Sequence, residues 1–346
     1  MSERRQIFEI AAVYTAVIIG AGFATGRELI SFFLGYGSFA VPGLLLSGAL
    51  MALVGWATLE ICLRKRLSGF DDLLTYTSGK YLGSVIKACS VAFLFVLFAA
   101  MLSAAGALGA QLWGLPRLAG ALALCLLSML AFAFDLRGLV RINTYLAPVM
   151  ILGCIGLGLY TYLFRAVPTF GASGYYSVTR NWVSSAVIYA SYNMITVISM
   201  LTAMSASVRT RRVAFWGVGL GAGAVTLIAL SLMLGLSRGP DAVRDFSIPF
   251  LRLVQDHGTL LMWSYVAVLT TAVYTTAITN GYCFYLAALS RPGLRPWLAK
   301  LSLCVAALAF SQIEFTQIVE TVYPLFGFVG LFLAVLLIIT TFTRDD

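Results

Sequence analysis

The apolar positions of this chain run in unbroken blocks and do not alternate. Blocks near the roughly 20 residues that carry an α-helix across a bilayer recur from end to end. The pattern predicts ten spans, over 8–35, 41–63, 84–113, 117–135, 142–165, 182–206, 213–236, 258–289, 297–312 and 316–342. Short polar or Pro/Gly stretches such as "LGYGSFAVPG", "WGLPR" and "SRPGLRPW" separate them. Two longer connections, 166–181 and 237–257, mix charge with aromatic residues. A transmembrane β-barrel needs alternating strands, and none are legible. The expected fold is therefore an all-α polytopic membrane protein.

The first span departs from a plain anchor. In "IIGAGFATGRELISFF" (Ile18 to Phe33), Gly20, Gly22 and Gly26 fall close together, and Arg27 and Glu28 follow at once. Each glycine costs about 1 kcal/mol in a helix, so the pattern predicts a break. In lipid, freed backbone groups are tolerated only where protein or a wet cavity covers them. A break would present amides at the start of the outer half-helix, suited to a carboxylate. It would also leave carbonyls at the end of the inner half-helix, suited to a small cation. The competing reading is a helix-packing face through Gly22 and Gly26. That face leaves Arg27 and Glu28 unexplained, since each charge is costly in hydrocarbon.

Ten spans divide five and five, into residues 1–165 and 166–346. An odd number per half forces the second half into inverted topology. The sixth span, matching the first, carries Ser191, Tyr192 and Asn193 at its middle, which predicts a second interruption and a binding site at the midplane. The alternative is a continuous helix whose polar groups bond to its neighbours. The eighth span, "VLTTAVYTTAITNGYCFYLA", holds Thr270, Thr271, Thr275, Thr276, Thr279 and Asn280. Hydroxyl and carbonyl oxygens are hard ligands that suit Na⁺.

Composition and charge refine this picture. Of 346 residues, 60% are hydrophobic and 11% charged, more apolar surface than a soluble chain of this size could bury. The net charge of +9 does not point to nucleic acid, because the basic residues sit in short clusters between spans. With ten spans both termini share one side. That side carries Arg4, Arg5, Arg64, Lys65, Arg66, Arg137, Arg141, Arg209, Arg211, Arg212, Arg291, Arg295, Lys300 and Arg344. The other has Arg117, Arg165, Arg180, Arg238, Arg244 and Arg252, partly offset by Asp241, Asp245 and Asp256. The positive-inside rule then expects both termini in the cytoplasm. The opening "MSERRQIFEIAAVY" is similar to the start of a signal peptide, but no clear cleavage site follows, so it reads as an uncleaved first helix. Cys62, Cys89, Cys125, Cys154, Cys283 and Cys304 lie within apolar runs without a CxxC pair and read as buried small residues. No cluster of metal-ligating or nucleophilic groups suggests an enzyme, and His257 reads as a solvated loop residue.

The ten-helix plan, the early glycine break and the paired hydroxyls of the eighth span resemble the LeuT-fold transporters of the amino acid–polyamine–organocation superfamily. More narrowly, "GAGFATGRELISFF" followed by "YG" resembles the poorly characterised bacterial YkvI-type membrane proteins. The resemblance covers the whole chain in plan, and its sharp motifs lie in spans 1, 6 and 8. It implies a Na⁺ site between the first and eighth spans. By its Ala-x-x-Thr/Ser-Thr/Ser pattern, "AVYTT" would supply the Ala272 carbonyl and the Thr275 and Thr276 hydroxyls, with the carbonyls of Ala16 and Ile19 opposite. It implies substrate contacts from Gly20, Ala21, Gly22 and Phe23 and from Tyr189, Ser191, Tyr192 and Asn193. It further implies an outer gate in which Arg27 pairs with Glu320, with Glu28 as a competing partner or a proton carrier. The chain departs from many members in having ten helices and no intramembrane aspartate in spans 1, 3, 6 or 8.

The expected function is thus a secondary active transporter of the cytoplasmic membrane. It would move a small amino-acid-like or carboxylate-bearing solute by alternating access, with Na⁺ as coupling ion and no organic cofactor. A proton-coupled carrier, an exchanger or exporter of the same fold, and a non-transporting ligand-sensing subunit remain as alternatives. The sequence gives no oligomeric state.

Overall fold

A computed structural model describes residues 2–134, 136–164, 178–237, 246–255, 257–289 and 295–343. Arg165, Arg238, Arg244, Arg291, Arg344, Asp241, Asp245 and Asp256, used above to orient the chain, lie outside the described residues. The described residues are helical nearly throughout, because in an apolar medium a helix satisfies every backbone group within its own segment.

The first span is interrupted twice. Helix α1 (Glu3–Ile18) ends at Ile19, whose φ of −76° and ψ of 76° form an inverse γ-turn, closed by Gly20 N–H donating to Ile18 O at 2.8 Å. Gly20 is extended, and a single turn follows, α2 (Ala21–Ala24). Gly26 then takes φ 81°, a left-handed conformation that favours glycine, and re-aims the chain into α3 (Arg27–Phe32). The freed carbonyls of α2 are covered by protein. Phe250 N–H donates to Thr25 O, and the Tyr265 hydroxyl to Ala24 O, both at 3.0 Å.

The remaining helices are α4 (Ala40–Lys65), α5 (Phe70–Trp113), α6 (Arg117–Ala131), α7 (Leu136–Phe164), α8 (Trp182–Met204) and α9 (Arg211–Leu236). After them come α10 (Pro249–Gln255), α11 (Thr259–Leu289), α12 (Pro296–Phe310) and α13 (Phe315–Thr343). Among the described residues, seven helical segments are long and apolar enough to cross a membrane, and α6 and α12 are shorter apolar helices. Helix α5 starts well before the predicted span. Gly79, at φ 75° and ψ 172°, separates a leading segment with Asp71 and Asp72 in its first turn from the apolar span, and the Lys87 ammonium pairs with Asp71. In α13, Ile318–Val322 is a π-helical segment that carries Glu320.

Two groups of four helices emerge from the packing. Helix α1 packs on α8 and α9, and α4 packs on the same two. In the second group, α5 and α6 pack on each other, and each packs on α11 and α12. Helix α7 bridges the groups through α1, α9 and α11, while α13 does so through α4, α5 and α8. The buried carboxylate of Glu60 ties α4 to α9 as an ion pair, with Arg211 Nε at 3.2 Å and Arg64 Nη2 at 3.8 Å.

The expected break in the sixth span is not there. Helix α8 runs without interruption through Ser191–Asn193. Its polar side chains satisfy the helix's own carbonyls: Ser191 Oγ donates to Val187 O at 2.6 Å, Asn193 Nδ2 to Tyr189 O at 2.9 Å and Thr196 Oγ1 to Asn193 O at 2.8 Å. Such back-bonding lets a polar cluster sit inside a continuous membrane helix, and no glycine weakens this one. The polar cluster was therefore a sign of a lined cavity and not of a broken helix.

Candidate functional site

The break in the first span faces α11. In an unbroken helix, Ala16 O would accept from Gly20 N–H and Ile19 O from Phe23 N–H. The γ-turn diverts the Gly20 amide to Ile18 O. Both carbonyls turn instead to the Thr276 hydroxyl, with Oγ1 3.3 Å from Ala16 O and 3.2 Å from Ile19 O. A hydroxyl has one proton, so it can serve only one of the two at a time. Beside it, Thr275 Oγ1 lies 3.1 Å from Ala272 O and 3.0 Å from Thr271 O on its own helix. The residues named as cation ligands thus form two oxygen sets joined through the adjacent Thr275 and Thr276: Ala16, Ile19 and Thr276 in one, Ala272 and Thr275 in the other. Thr275 and Thr276 are buried. The five named groups all offer oxygen, which suits a hard cation, and Met150 Sδ lies 3.5 Å from Thr275 Oγ1.

Next to these oxygens is a small cavity, with room for about one water molecule. Gly20, Glu28, Met101, Tyr192, Asn193, Thr196, Thr276, Asn280 and Tyr323 line it together with Val17, Ile18 and Leu97. Of the expected substrate contacts, Gly20, Tyr192 and Asn193 line it. Ala21, Phe23 and Tyr189 are buried but do not line it, and the Ser191 hydroxyl is turned back onto α8. The Ala21 amide, first of the short α2 turn, donates to Met101 Sδ at 3.3 Å.

Glu28 is in the cavity, not at the Arg27–Glu320 pair. Its side chain packs against Gly22: a Cβ built on Gly22 would lie 2.7 Å from Glu28 Cδ and 2.8 Å from its Cγ. Glycine at 22 is what leaves room for this acid. The rings of Tyr189 and Tyr192 meet edge to face at 5.4 Å, and Tyr192 lies 5.2 Å from Tyr323. The Tyr189 and Tyr192 hydroxyls face the Glu28 carboxylate. Among the described residues, Glu28 Oε2, the hydroxyls of Tyr189, Tyr192 and Tyr323, and both side-chain polar atoms of Asn280 are buried without a partner. Buried polar atoms are nearly always satisfied, so a cluster of exceptions around one cavity makes it the candidate site.

Arg27 and Glu320 meet, the pairing that the resemblance implied. Arg27 Nη2 donates to Glu320 Oε1 at 2.6 Å, and Ser31 Oγ donates to the same oxygen at 3.3 Å. The Arg27 side chain is 11% exposed and that of Glu320 42%, so the pair lies at an edge of the protein interior. The π-helical turn of α13 holds Glu320 there, a feature common at functional sites. Sequence reasoning passed over Tyr323, Met101, Thr196 and Asn143. The Asn143 amide on α7 donates to Thr279 Oγ1 on α11 at 3.0 Å. Asn143 and Thr196, polar residues in apolar spans, carried a signal that could have singled them out.

No protein-family model matches the chain. It is 27% identical to the uncharacterised membrane protein YkvI of Bacillus subtilis, over 93% of this chain and 92% of that one. It is 23% identical to the uncharacterised protein YyaD of the same organism, over 93% of each. Among solved structures it superposes on MhsT in complex with L-phenylalanine with a TM-score of 0.65 and 16% identity, covering 98% of this chain and 96% of that one. A variant of the manganese transporter of Eremococcus coleocola gives 0.67 and 15%, covering 96% and 77%. A Na⁺-coupled sialic acid symporter gives 0.61 and 11%, covering 94% and 78%. The chain is a multi-pass α-helical membrane protein with the LeuT fold, and it resembles YkvI over nearly its whole length.

Proposed function

We propose that the protein is a secondary active transporter that moves a small amino-acid-like solute across the cytoplasmic membrane by alternating access, coupled to Na⁺. The observation that carries this reading is the pair of carbonyls, Ala16 O and Ile19 O, released by the γ-turn and sharing one hydroxyl proton of Thr276. A dehydrated monovalent cation would relieve that shortage, with Ala272 and Thr275 completing the oxygen set. The substrate would occupy the adjacent cavity, against Gly20, Ala21, Gly22 and Phe23 on one side and Tyr189, Ser191, Tyr192 and Asn193 on the other. Fold neighbours whose names describe a Na⁺-coupled symporter and a complex with L-phenylalanine support the class of solute and ion.

In this account ten spans form two inverted five-helix halves, 1–165 and 166–346. The matching roles of α7 and α13, each bridging the two helix groups, agree with that symmetry. The group α1, α4, α8 and α9 would rock against α5, α6, α11 and α12, and the Arg27–Glu320 pair would open and close as an outer gate. Both termini would face the cytoplasm. A second reading, proton coupling, draws on one observation: an acid, Glu28, lines the cavity itself.

A screen of amino acids by thermal shift, with Na⁺ or with K⁺, tests the proposal. It predicts ligands that stabilise the protein only in Na⁺. Ligand stabilisation indifferent to the cation would remove Na⁺ coupling from the account.

A further inference from the structure

Two acids are buried among the described residues of the helix bundle, and they differ in their company. Glu60 is 6% exposed and has two arginines within ion-pair distance. Glu28 is 4% exposed and forms no ion pair with any described residue. A charge buried without a partner is costly, and inside a membrane protein it marks function.

The groups around Glu28 share a chemistry. Tyr192 and Tyr323 present their rings, the Tyr192 hydroxyl faces Glu28 and that of Tyr323 has no partner, Phe93 packs on both rings with centroids 6.1 and 5.8 Å away, and Asn280 adds an unpartnered amide. A carboxylate with aromatic walls attracts a cationic nitrogen, through charge and through the ring faces. The same arrangement repels an anion. The Gly22 face, where a substrate carboxylate was expected, is already covered by the Glu28 carboxylate, and the Ala21 amide is already engaged by Met101.

We propose that Glu28 is the counter-ion for a positively charged nitrogen of the solute, so that the central cavity selects small organic amines, amino acids included, and rejects simple carboxylic acids. The ammonium group is the required feature and a carboxylate is not. The inference rests on the transport reading for the location of the solute and adds to it the sign of the charge recognised.

The test uses the full chain purified in detergent with saturating Na⁺. Three sets of probes share an apolar body and differ in their charged heads: alanine, ethylamine and propionate; leucine, isoamylamine and isocaproate; phenylalanine, phenethylamine and hydrocinnamate. Thermal shift and competition give relative affinities. The expected result is that at least one amine and its parent amino acid stabilise the protein while the matching carboxylate does not. Glu28→Gln weakens that binding by about 10- to 100-fold, and Glu28→Asp retains most of it. Should Glu28→Gln fail to melt cooperatively, the wild-type probe series and Glu28→Asp still read the charge preference. Carboxylates binding as well as their amines, no amine binding at all, or unchanged amine affinity in Glu28→Gln would each overturn the proposal. If Glu28→Gln lost only pH dependence, Glu28 would be a proton carrier and not a counter-ion. Uptake into liposomes separates this inference from the one beneath it. Amine binding without any uptake removes transport alone, and Na⁺-driven uptake of carboxylates with amines ignored removes the counter-ion alone.

Discussion

Replacing Thr276 by valine keeps the volume and branching of the side chain and deletes only its hydroxyl. Two consequences can be sized. Without ions, Ala16 O and Ile19 O lose the single donor they share at 3.3 and 3.2 Å. Interhelical hydrogen bonds in membranes contribute about 0.6 kcal/mol on average and at most about 1.7, so the variant should still fold. The larger effect falls on the cation. An interaction with a charged partner contributes about 1.5–3 kcal/mol, which puts the loss of Na⁺ affinity near 30-fold. When Na⁺ is present at about 100 times its dissociation constant, binding stabilises the wild type by about 2.7 kcal/mol. A 30-fold weaker site leaves about 0.9 kcal/mol. Melting curves across a Na⁺ titration, with K⁺ holding ionic strength constant, read this difference directly. Thr271→Val is the control, because Thr271 Oγ1 bonds only Ala267 O on its own helix. Thr276→Val with undiminished Na⁺ stabilisation would refute the proposed cation site.

Three further outcomes follow from the same geometry. Gly22→Ala should abolish binding at the central cavity, because the new methyl meets Glu28 Cδ and Cγ at 2.7 and 2.8 Å; adding Glu28→Ala should recover folding, seen as a monodisperse detergent peak, without recovering binding. Gly26→Ala should lower stability by about 1–2 kcal/mol from the left-handed backbone alone, and by more because Leu236 Cδ1 would lie 2.6 Å from the added carbon; chemical unfolding measures it. A double-mutant cycle on Arg27→Ala and Glu320→Ala should give a coupling of about 0.5–1 kcal/mol, the scale of a pair with one exposed partner, and full additivity would disconnect the two.

How much of this could be read from the chain depended on the kind of signal. Apolar blocks defined most helix ends to within a few residues, since the bilayer sets a minimum length for a span, but they missed the leading segment of α5, whose charged residues lie outside the apolar run. Glycine clustering located the break at Ile19 and Gly20, because glycine acts on the backbone where it stands. The Ala272, Thr275 and Thr276 pattern, which the resemblance implied, is legible for a similar reason: groups on one helix keep their spacing, and the fold brings Thr276 Oγ1 to Ala16 O and Ile19 O. Two expectations failed to transfer from composition to geometry. Polar residues at the middle of α8 suggested a break, yet Ser191, Asn193 and Thr196 satisfy carbonyls of their own helix. Glu28 looked like a companion of Arg27, its sequence neighbour. However, adjacent residues on a helix point about 100° apart, so one turned to Glu320 and the other into the cavity. Tyr323 and Met101 were invisible because residues of ordinary apolar character join a site only through tertiary packing.

Uptake by the reconstituted protein tests the central claim most directly. Proteoliposomes holding the full chain, loaded with K⁺ and diluted into Na⁺, would receive a radiolabelled amino acid chosen by the thermal-shift screen. The account predicts accumulation above the equilibrium level that collapses when monensin dissipates the Na⁺ gradient and is lost in Thr276→Val. Saturable binding with no accumulation under a Na⁺ gradient would contradict it and make the protein a ligand-binding membrane subunit.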